Sequence, residues 1–362
     1  MSGLDGVIAA DTVLSDVDGE AGRLVIRGHS LDDLAGRWSF EEVLGLLWDG
    51  FFDAIPSDMT GALGAARAEV FAETQGLDGA LLRRNPVEAM RALTARLADG
   101  DDLQTALRLV AAPAVFTAAV VRAQAGDAPV APDPKIGHAA DILRMLRGQA
   151  ASGAQAEALD AYLVTVSDHG FNASTFAARV TASTLAGLTS AVLSGISALK
   201  GPLHGGAPGP VIDMLDQIGR PQNARAWLEA ALDRGDRLMG FGHRIYRVRD
   251  PRADALKKAV RKLADDASAN TSKGRLDFAE AVEQAALAVL LERKPGRSLQ
   301  TNVELYTALL LEALAFPPSA FTCVFAMGRV AGWVAHAREQ VAEGRLIRPQ
   351  SRYVGPVPDL AA

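Results

Sequence analysis

The chain has 362 residues, of which 49% are hydrophobic and 22% are charged. These are globular proportions, and the length exceeds one ordinary core, so we expect two domains or one large domain with an insertion. The net charge of −6 argues against bulk binding of nucleic acid. The single cysteine, Cys323, excludes an internal disulfide framework and a multi-cysteine metal site, and it favours a reducing compartment.

The sequence gives little support for a signal peptide or a membrane-spanning helix. The N-terminus, MSGLDGVIAADTVL, lacks the basic and long apolar regions of a signal peptide. Residues 180–199 are uncharged and long enough to span a bilayer. They are rich in Ser and Thr and closely flanked by Arg179 and Lys200, so a tightly packed buried helix is the favoured interpretation. We therefore expect a cytoplasmic protein without a membrane partner.

Strand patterns are confined to the start of the chain. Residues 7–14 and 23–27 flank the turn-like sequence DVDGEAG and predict a small β-hairpin. Beyond it, apolar residues recur at three- and four-residue spacing and predict helices over residues 39–48, 90–97 and 103–110. The Pro-rich segment 126–135 predicts a surface connection. The sequence thus favours an all-α fold with a small N-terminal hairpin.

Two long helices are predicted in the second half. Asn172 is a typical N-cap for a helix running to about Lys200, with Gly201 following it. A final helix is predicted over residues 321–343 and is stopped by Gly344.

Three of the six histidines lie in unusual settings. His169 precedes the helix cap in SDHGFNAS, His204 follows the same helix in GPLHGGAPG, and His243 lies in GFGHRIYRVRDPR. Glycines around the last two would let backbone N–H groups approach a ligand closely. Each histidine alone is more often structural than functional. The remaining three are assigned structural roles: His29, His138 and His336.

Arginines give a second, independent indication. Phe325, Arg329 and Trp333 are spaced by four and so share one helix face, where an arginine either snorkels to solvent or meets an anion. Arg252 in RDPRAD and Arg348 in RLIRPQSR lie in turn-like segments, where a guanidinium can bind a carboxylate with two hydrogen bonds. Most arginines in such settings are ordinary surface residues, so each pattern alone is weak.

A run of basic residues follows GFGH. Its members are Arg244, Arg247, Arg249, Lys257, Lys258, Arg261 and Lys262. A solvated helix face is the favoured interpretation, and a phosphate site at the glycine-rich start is the sharper alternative. Gly240 and Gly242 do not form a dinucleotide-binding fingerprint, because no strand precedes them and no GxGxxG is present. Nucleophilic triads are also unsupported, since GPLHGG carries no serine.

Three separated segments resemble the citrate synthase family in its short bacterial form. They are SDHGFNASTFAARVTASTLAGLTSAVLSGISALKGPLHGGA, GFGHRIYRVRDPRA, and FAMGRVAGWVAHAREQ with RLIRPQSRYVGP; GRLVIRGHSLDDLA and SFEEVLGLLW are similar too. The resemblance covers nearly the whole chain. It implies an almost entirely helical homodimer with a citrate-synthase-like two-domain fold. Residues 1–205 and 315–362 would form a large domain, and residues 206–314 a smaller inserted domain that closes on it.

The resemblance also implies roles for individual residues. His204 matches the histidine that hydrogen-bonds the thioester carbonyl of acetyl-CoA, and His243 matches the one that polarises the keto carbonyl of oxaloacetate. The expected substrate-binding residues are His169, Asn172, Arg252, Arg329 and Arg348, the last supplied across the dimer interface. The expected CoA contacts are Arg247, Gly240, Gly242 and Arg297. Acyl-CoA is thus a co-substrate, and neither a permanently bound cofactor nor a metal is expected.

The sequence departs from the family at the expected catalytic base. The family has an aspartate in a motif like PNVD, whereas this chain has TNVE, with Glu304 one methylene longer. A displacement of about 1 Å can cost on the order of a hundredfold in rate. Pro208 also replaces the asparagine usual in GGAN.

The expected reaction is condensation of acetyl-CoA with oxaloacetate to citrate. It needs a carboxylate to take a proton from the thioester methyl group while a neutral donor stabilises the oxygen. Two alternatives stay open: a 2-methylcitrate synthase using propionyl-CoA, and a catalytically weak paralogue that binds CoA or a dicarboxylate. One methylene in a pocket discriminates between donors by only about 1–3 kcal/mol.

Overall fold

The computed structural model describes residues 4, 6–205, 208–243, 245–266, 273–297 and 299–356. Helices make up most of the regular structure in this part of the chain, which confirms the predicted all-α class. The helices, in chain order, are α1 (Leu31–Leu34), α2 (Phe40–Trp48), α3 (Met59–Phe71), α4 (Gly79–Leu82), α5 (Pro86–Thr94), α6 (Leu103–Gln124), α7 (His138–Arg147), α8 (Gly153–Val166), α9 (Ala173–Ala182), α10 (Leu188–Leu199), α11 (Pro208–Ile218), α12 (Ala224–Asp233), α13 (Pro251–Ala264), α14 (Lys273–Arg293), α15 (Val303–Ala313) and α16 (Phe321–Glu343).

A small antiparallel sheet precedes the helices. Its strands are β1 (Ser15–Asp18), β2 (Arg23–Ile26) and β3 (His29–Ser30), in the order β1-β2-β3. The hairpin is confirmed, but the prediction of its first strand over residues 7–14 is wrong. The Asp18 carboxylate accepts hydrogen bonds from the backbone N–H groups of Glu20 and Ala21, at 3.1 and 2.9 Å. This side-chain turn begins late, so the first residues of DVDGEAG belong to the strand.

The segment before β1 is tied to the other end of the chain. Glu339 on α16 accepts hydrogen bonds from Thr12 Oγ1 at 3.2 Å and from the backbone N–H of Val13 at 2.8 Å. The N-terminal segment is therefore anchored on the last helix.

Helix ends follow the capping rules read from the sequence. A capping box of Ser39 and Glu42 begins α2, which confirms the helix predicted over residues 39–48. The helix predicted over residues 90–97 is the second half of α5 and ends at Thr94. The helix predicted over residues 103–110 continues as α6 to Gln124. Gly344, with φ of 69°, ends α16 as predicted.

The core is centred on α6, which packs against α3, α5, α7 and α16. Of the described helices, α6 alone is long and apolar enough to cross a membrane by length and composition. However, 78% of its most apolar window is buried inside the protein, as in the core helix of a soluble domain.

The long helix predicted from Asn172 to about Lys200 is wrong. It is interrupted between α9 and α10, where Leu185 and Gly187 have φ of 61° and 91°. The carboxylate of Asp99 accepts hydrogen bonds from the first backbone N–H groups of α10. A Cβ atom on Gly187 would lie 2.2 Å from Asp99 Oδ1, so this cap requires glycine. The chain reverses here, and α9 packs against α10.

The predicted division into two domains stays a prediction. The residues of the predicted domains that lie outside the described part of the chain are 1–3, 5, 206, 207, 244, 267–272, 298 and 357–362. Within the predicted insertion, α13 packs against α15 and also against α8.

Candidate active site

The packing of α9 against α10 brings His204 to the start of α9. His204 Nε2 lies 2.8 Å from the hydroxyl of Ser174, which also accepts a hydrogen bond from Trp333 Nε1 at 3.2 Å. The same hydroxyl lies 2.7 Å from Asn172 Oδ1. Because a serine has one proton to donate, its direction is coupled to the tautomer of His204. The buried Ser174 therefore fixes both the position and the protonation pattern of this imidazole.

His169 lies at the centre of the cluster and is only 5% exposed. Its Nε2 atom lies 3.1 Å from the hydroxyl of Tyr246, and its ring centroid lies 5.9 Å from that of His243. Burial, followed by the charges of Arg252 and Arg329, holds the pKa of His169 well below its usual value. His169 is therefore neutral at physiological pH.

The ring of His243 is held in one tautomer by the backbone. Its Nδ1 atom accepts hydrogen bonds from the N–H groups of Ile245 and Tyr246, each at 3.1 Å. Burial and the charge of Arg252 lower the pKa of His243 to about 4, against an opposing effect of Asp250. The neutral ring thus carries its proton on Nε2. That atom lies 3.1 Å from Arg252 Nη2.

Arg252 is held by the carboxylate of Asp250 through two hydrogen bonds, at 3.0 Å from Nε and 2.9 Å from Nη2. Both side chains are almost completely buried. Asp250 is also the N-cap of α13, and it accepts the backbone N–H of Val303 at 3.2 Å. Although burial opposes the charged guanidinium, Asp250 raises the pKa of Arg252. Asp250 therefore joins the starts of α13 and α15 around a permanent positive charge.

Arg329 is a buried cation without a full set of partners. It is 1% exposed; its Nε donates to Val166 O at 2.6 Å, and its guanidinium lies 4.8 Å from the centre of the Phe325 ring. Its Nη2 atom is buried and has no hydrogen-bond partner. Burial lowers the pKa of Arg329 to about 10, an effect that Asp168 opposes and Arg252 reinforces. The snorkelling interpretation is therefore wrong, and a buried guanidinium nitrogen of this kind is suited to pairing with an anion.

Glu304 lies in the first turn of α15, beside Arg252. Asn302 caps this helix by accepting the N–H of Glu304 at 3.0 Å, and its amide donates to Gly242 O at 2.8 Å. Burial raises the pKa of Glu304, while Arg252 and a hydrogen bond from the Gly240 N–H oppose the shift. The arrangement produces a carboxylate with raised proton affinity beside the Arg252 guanidinium, which is suited to proton abstraction.

Comparison with known proteins identifies the chemistry of this site. The family model described as citrate synthase, C-terminal domain, matches residues 3–350. A citrate synthase from Haloferax volcanii is 39% identical over 378 aligned residues, covering 98% of this chain and 95% of that protein. The chain belongs to the citrate synthase family. It is therefore a condensation enzyme, a citrate synthase-type acyltransferase.

Two further relatives bear on the substrates of this citrate synthase-family enzyme. A 2-methylcitrate synthase from Mycobacterium tuberculosis is 35% identical over 366 residues, covering 98% of this chain and 90% of that protein. The solved structure of the Thermoplasma acidophilum citrate synthase, a ternary complex with carboxymethyl coenzyme A and oxaloacetate, has a TM-score of 0.85. It is 28% identical to this enzyme, with coverage of 99% of this chain and 97% of that one.

Several predicted site residues of the citrate synthase-family enzyme have structural partners that explain them. Asn172 is the N-cap of α9, as predicted, and its Oδ1 accepts the N–H groups of Ser174 and Thr175. Gly240 and Gly242 have φ of 85° and 79°, and the N–H of Gly242 donates to Gln300 O at 2.7 Å. The substrate contact of Asn172 and the CoA contacts of both glycines stay predictions.

Three predicted binding arginines lie on the surface, away from the buried cluster: Arg247, Arg297 and Arg348. The adjacent residue Ile347 donates its N–H to Ser183 Oγ at 3.1 Å, which attaches the C-terminal segment to the end of α9. The ligand contacts of these arginines stay predictions. The basic run that follows GFGH, which includes Arg247, forms a salt-bridged surface in its described part, as the favoured interpretation expected. Lys257, for example, pairs with Glu283 at 2.8 Å. Arg244 lies outside the described residues.

Sequence reasoning missed Ser174, Tyr246 and Asp250 as site residues. Asp250 had a signal, since an aspartate directly before a proline is a typical N-cap. Ser174 had none, because it is one of many hydroxyl residues in the same segment. Among the described residues, no group of three His, Cys, Asp or Glu side chains is placed to hold a metal ion.

Proposed function

We propose that this enzyme condenses acetyl-CoA with oxaloacetate to give citrate and CoA through an enol intermediate. The observation that carries the proposal is the buried, unpartnered Nη2 of Arg329 beside a second buried guanidinium, that of Arg252. Two nearby cations in one desolvated site favour a dianionic ligand, because an unpaired buried charge costs several kcal/mol. Oxaloacetate brings two carboxylates.

The keto oxygen of oxaloacetate has a matching position. The protonated Nε2 of His243 and the Nη2 of Arg252 are both donors, yet they lie 3.1 Å apart. An oxygen atom between them would accept a hydrogen bond from each and remove their repulsion. This oxygen would carry the negative charge that develops during condensation.

The donor half of the reaction uses Glu304 and His204. Glu304 takes a proton from the thioester methyl group, the C–H electrons form the C=C bond, and the thioester oxygen, which gains the negative charge, takes a proton from His204 to give the enol. The methyl carbon then bonds to the keto carbon, and the keto oxygen takes a proton from His243. Water cleaves the resulting citryl thioester to citrate and CoA. Closure of the two proposed domains would exclude water until that thioester has formed.

The structural setting of Glu304 supports an active enzyme over a weak paralogue. The longer side chain is still held by the Gly240 N–H and lies beside Arg252, with a raised pKa. Relatives named citrate synthase and 2-methylcitrate synthase are similarly distant, at 39% and 35% identity. Propionyl-CoA is therefore the alternative donor.

The proposal includes a homodimer in which Arg348 reaches the partner's site. Arg348 is exposed on the segment after α16, which fits a residue that acts outside its own subunit. Arg247, Arg297 and the glycine turn at Gly240 would contact CoA. A cytoplasmic location is also proposed, and the deep burial of Cys323, which raises its pKa to about 12, fits an unreactive thiol.

Release of CoA thiol from acetyl-CoA, measured with and without oxaloacetate, tests the proposed function. Oxaloacetate-dependent release supports it, and faster release with propionyl-CoA would assign the alternative donor. Binding of both substrates without thiol release would assign the weak paralogue. Sedimentation of the active enzyme tests the dimer, since a fully active monomer would refute a site completed by Arg348.

A further inference from the structure

The N-terminal hairpin touches the loop that carries His169. The hydroxyl of Ser15, the first residue of β1, donates to the carboxylate of Asp168 and accepts the Gly170 N–H at 2.9 Å. A Cβ atom on Gly170 would lie 3.3 Å from Val17 Cγ2, so the strand packs closely against this loop. Ser15 thus forms hydrogen bonds with Asp168 and Gly170, the residues on either side of His169 in the sequence.

The turn of the same hairpin touches the loop that carries His243. The carbonyl of Gly19 accepts the Arg247 N–H at 2.9 Å. A Cβ atom on Gly19 would lie 2.3 Å from Ile245 O, and one on Gly22 would lie 2.8 Å from Arg249 O. Any side chain at Gly19 must therefore displace the backbone of the loop or of the turn.

This second loop sets the orientation of His243 directly. The N–H groups of Ile245 and Tyr246 are the two donors to His243 Nδ1, and the hydroxyl of Tyr246 contacts His169. The hairpin therefore packs against the peptide units whose N–H groups bind the imidazole of His243. A shift of the Ile245 backbone would move the protonated Nε2 of His243 relative to Arg252.

The hairpin is rigid enough to transmit such a constraint. Four residue pairs form its ladder, from Ser15 with Ile26 to Asp18 with Arg23, and the Asp18 carboxylate closes the turn. The following helix α1 adds a contact with the same loop, since Asp32 lies 3.5 Å from Arg249.

We propose that Ser15 and Gly19 are positioning residues, and that the hairpin from β1 to β2 is a strap that fixes the two histidine loops relative to each other. The strap acts on His169 and His243 through the backbone and touches no substrate. The proposal rests on the proposed function in one respect, that these two histidines bind the 2-oxo acid. It predicts that loss of the Ser15 contacts weakens acceptor binding with little effect on acyl-CoA binding. A change at Gly19 also reaches the backbone of Arg247, a proposed CoA contact, so it alters the binding of both substrates.

The test compares Gly19→Ala and Ser15→Ala with two controls in the same hairpin. Ser15→Thr keeps the hydroxyl, and Glu20→Ala alters an exposed residue of the same turn. We expect Gly19→Ala to raise the KM for oxaloacetate about tenfold or more, since small misplacements of catalytic groups are costly. Ser15→Ala should raise the KM for oxaloacetate as well, while its KM for acetyl-CoA and its thermal midpoint stay close to wild type. Ser15→Thr should keep the wild-type values.

Hydrogen exchange of the intact chain gives a second readout that needs no turnover. Both Gly19→Ala and Ser15→Ala should accelerate exchange of backbone amides in residues 245–249, with Glu20→Ala unchanged. An oxaloacetate KM unchanged in both variants, or an equal rise of both KM values in Ser15→Ala, would overturn the strap, as would unchanged exchange in residues 245–249. If Gly19→Ala does not fold, the comparison of Ser15→Ala with Ser15→Thr tests the strap. If the wild-type enzyme releases no thiol, the proposed function fails, and hydrogen exchange in residues 245–249 still tests the strap.

Discussion

The Nε2 atom of His243 lies 3.1 Å from the Nη2 atom of Arg252, although both atoms are hydrogen-bond donors. The tautomer is fixed because the Nδ1 atom already accepts two backbone N–H groups. The two donors therefore face each other. Under the proposed function, the keto oxygen of the acceptor would lie between them and accept a hydrogen bond from each.

We expect the stability of the enzyme to fall in acid because His243 is kept neutral. Its pKa is lowered from 6.5 to about 4 in the folded state. Below pH 6.5 the unfolded chain therefore binds more protons than the folded one, so the free energy of unfolding decreases as the pH falls towards 4. Above pH 6.5 this contribution is constant. Urea denaturation across this range should show a shallower pH dependence for His243→Gln than for wild type; equal slopes would contradict the assignment.

Glu304→Gln should lower kcat by about a hundredfold or more, because a general base typically contributes 10²–10⁴-fold. Oxaloacetate affinity should stay near wild type, since Arg252 and Arg329 are unchanged. Because burial raises the pKa of Glu304 and the base must be deprotonated, kcat/KM of the wild type should fall in acid with an apparent pKa above the usual value for glutamate.

Glu304→Asp separates two explanations of the longer side chain. A retained or higher rate would mean that the backbone preserves the geometry of the family aspartate. A sharp loss would mean that the Gly240 turn and α15 have adapted to glutamate. If Glu304→Gln keeps most of its activity, another group is the base.

Arg329→Leu should fold but lose oxaloacetate affinity, by about 2–5 kcal/mol for a lost buried charge pair. Acetyl-CoA affinity should change little. Arg338→Leu is a matched control on the same helix, because Arg338 also donates to a carbonyl, Phe51 O at 3.1 Å, and lies 5.1 Å from an aromatic ring, that of Phe52. Calorimetric titration of oxaloacetate and of acetyl-CoA into both variants measures these affinities. Equal oxaloacetate affinities in the two variants would leave the acceptor site unassigned.

Asp250→Ala should destabilise the fold by about 3–5 kcal/mol, because it leaves the buried Arg252 without its carboxylate. The change also removes the N-cap of α13 and the acceptor of the Val303 N–H. Asp254→Ala is the control, since Asp254 lies in the same helical turn but pairs with Arg249 at the surface. Urea denaturation should separate the two variants clearly; similar losses would mean that the Asp250 pair is not critical.

The fold class could be predicted from the sequence, and so could five residues that the fold brings together: His169, His204, His243, Arg252 and Arg329. Their local settings were weak indications, and the resemblance of three separated segments to one family singled them out. Helix boundaries could not be predicted from the sequence where a side chain distant in sequence determines them. The break between α9 and α10 depends on a cap supplied by Asp99, far upstream, so local helical periodicity cannot reveal it.

Site residues without unusual composition around them could not be found from the sequence. Ser174 acts through two contacts, with His204 and Trp333, that exist only once α9, α10 and α16 have packed. Arg348 illustrates the opposite case, because its motif is distinctive but its partner would belong to another subunit. A role that depends on tertiary or quaternary neighbours leaves no local pattern.

The anchoring of Thr12 and Val13 on Glu339 has a consequence for synthesis of the chain. These contacts join residues separated by 327 and 326 positions. At ribosomal rates of about 5–20 residues per second, roughly 15–65 s pass between translation of the two ends. During that interval the first segment emerges without its docking helix, and loop closure of this length disfavours early pairing. The segment around Thr12 and Val13 is therefore made early but reaches its native place late, which leaves it open to chaperones and proteases until α16 has been made.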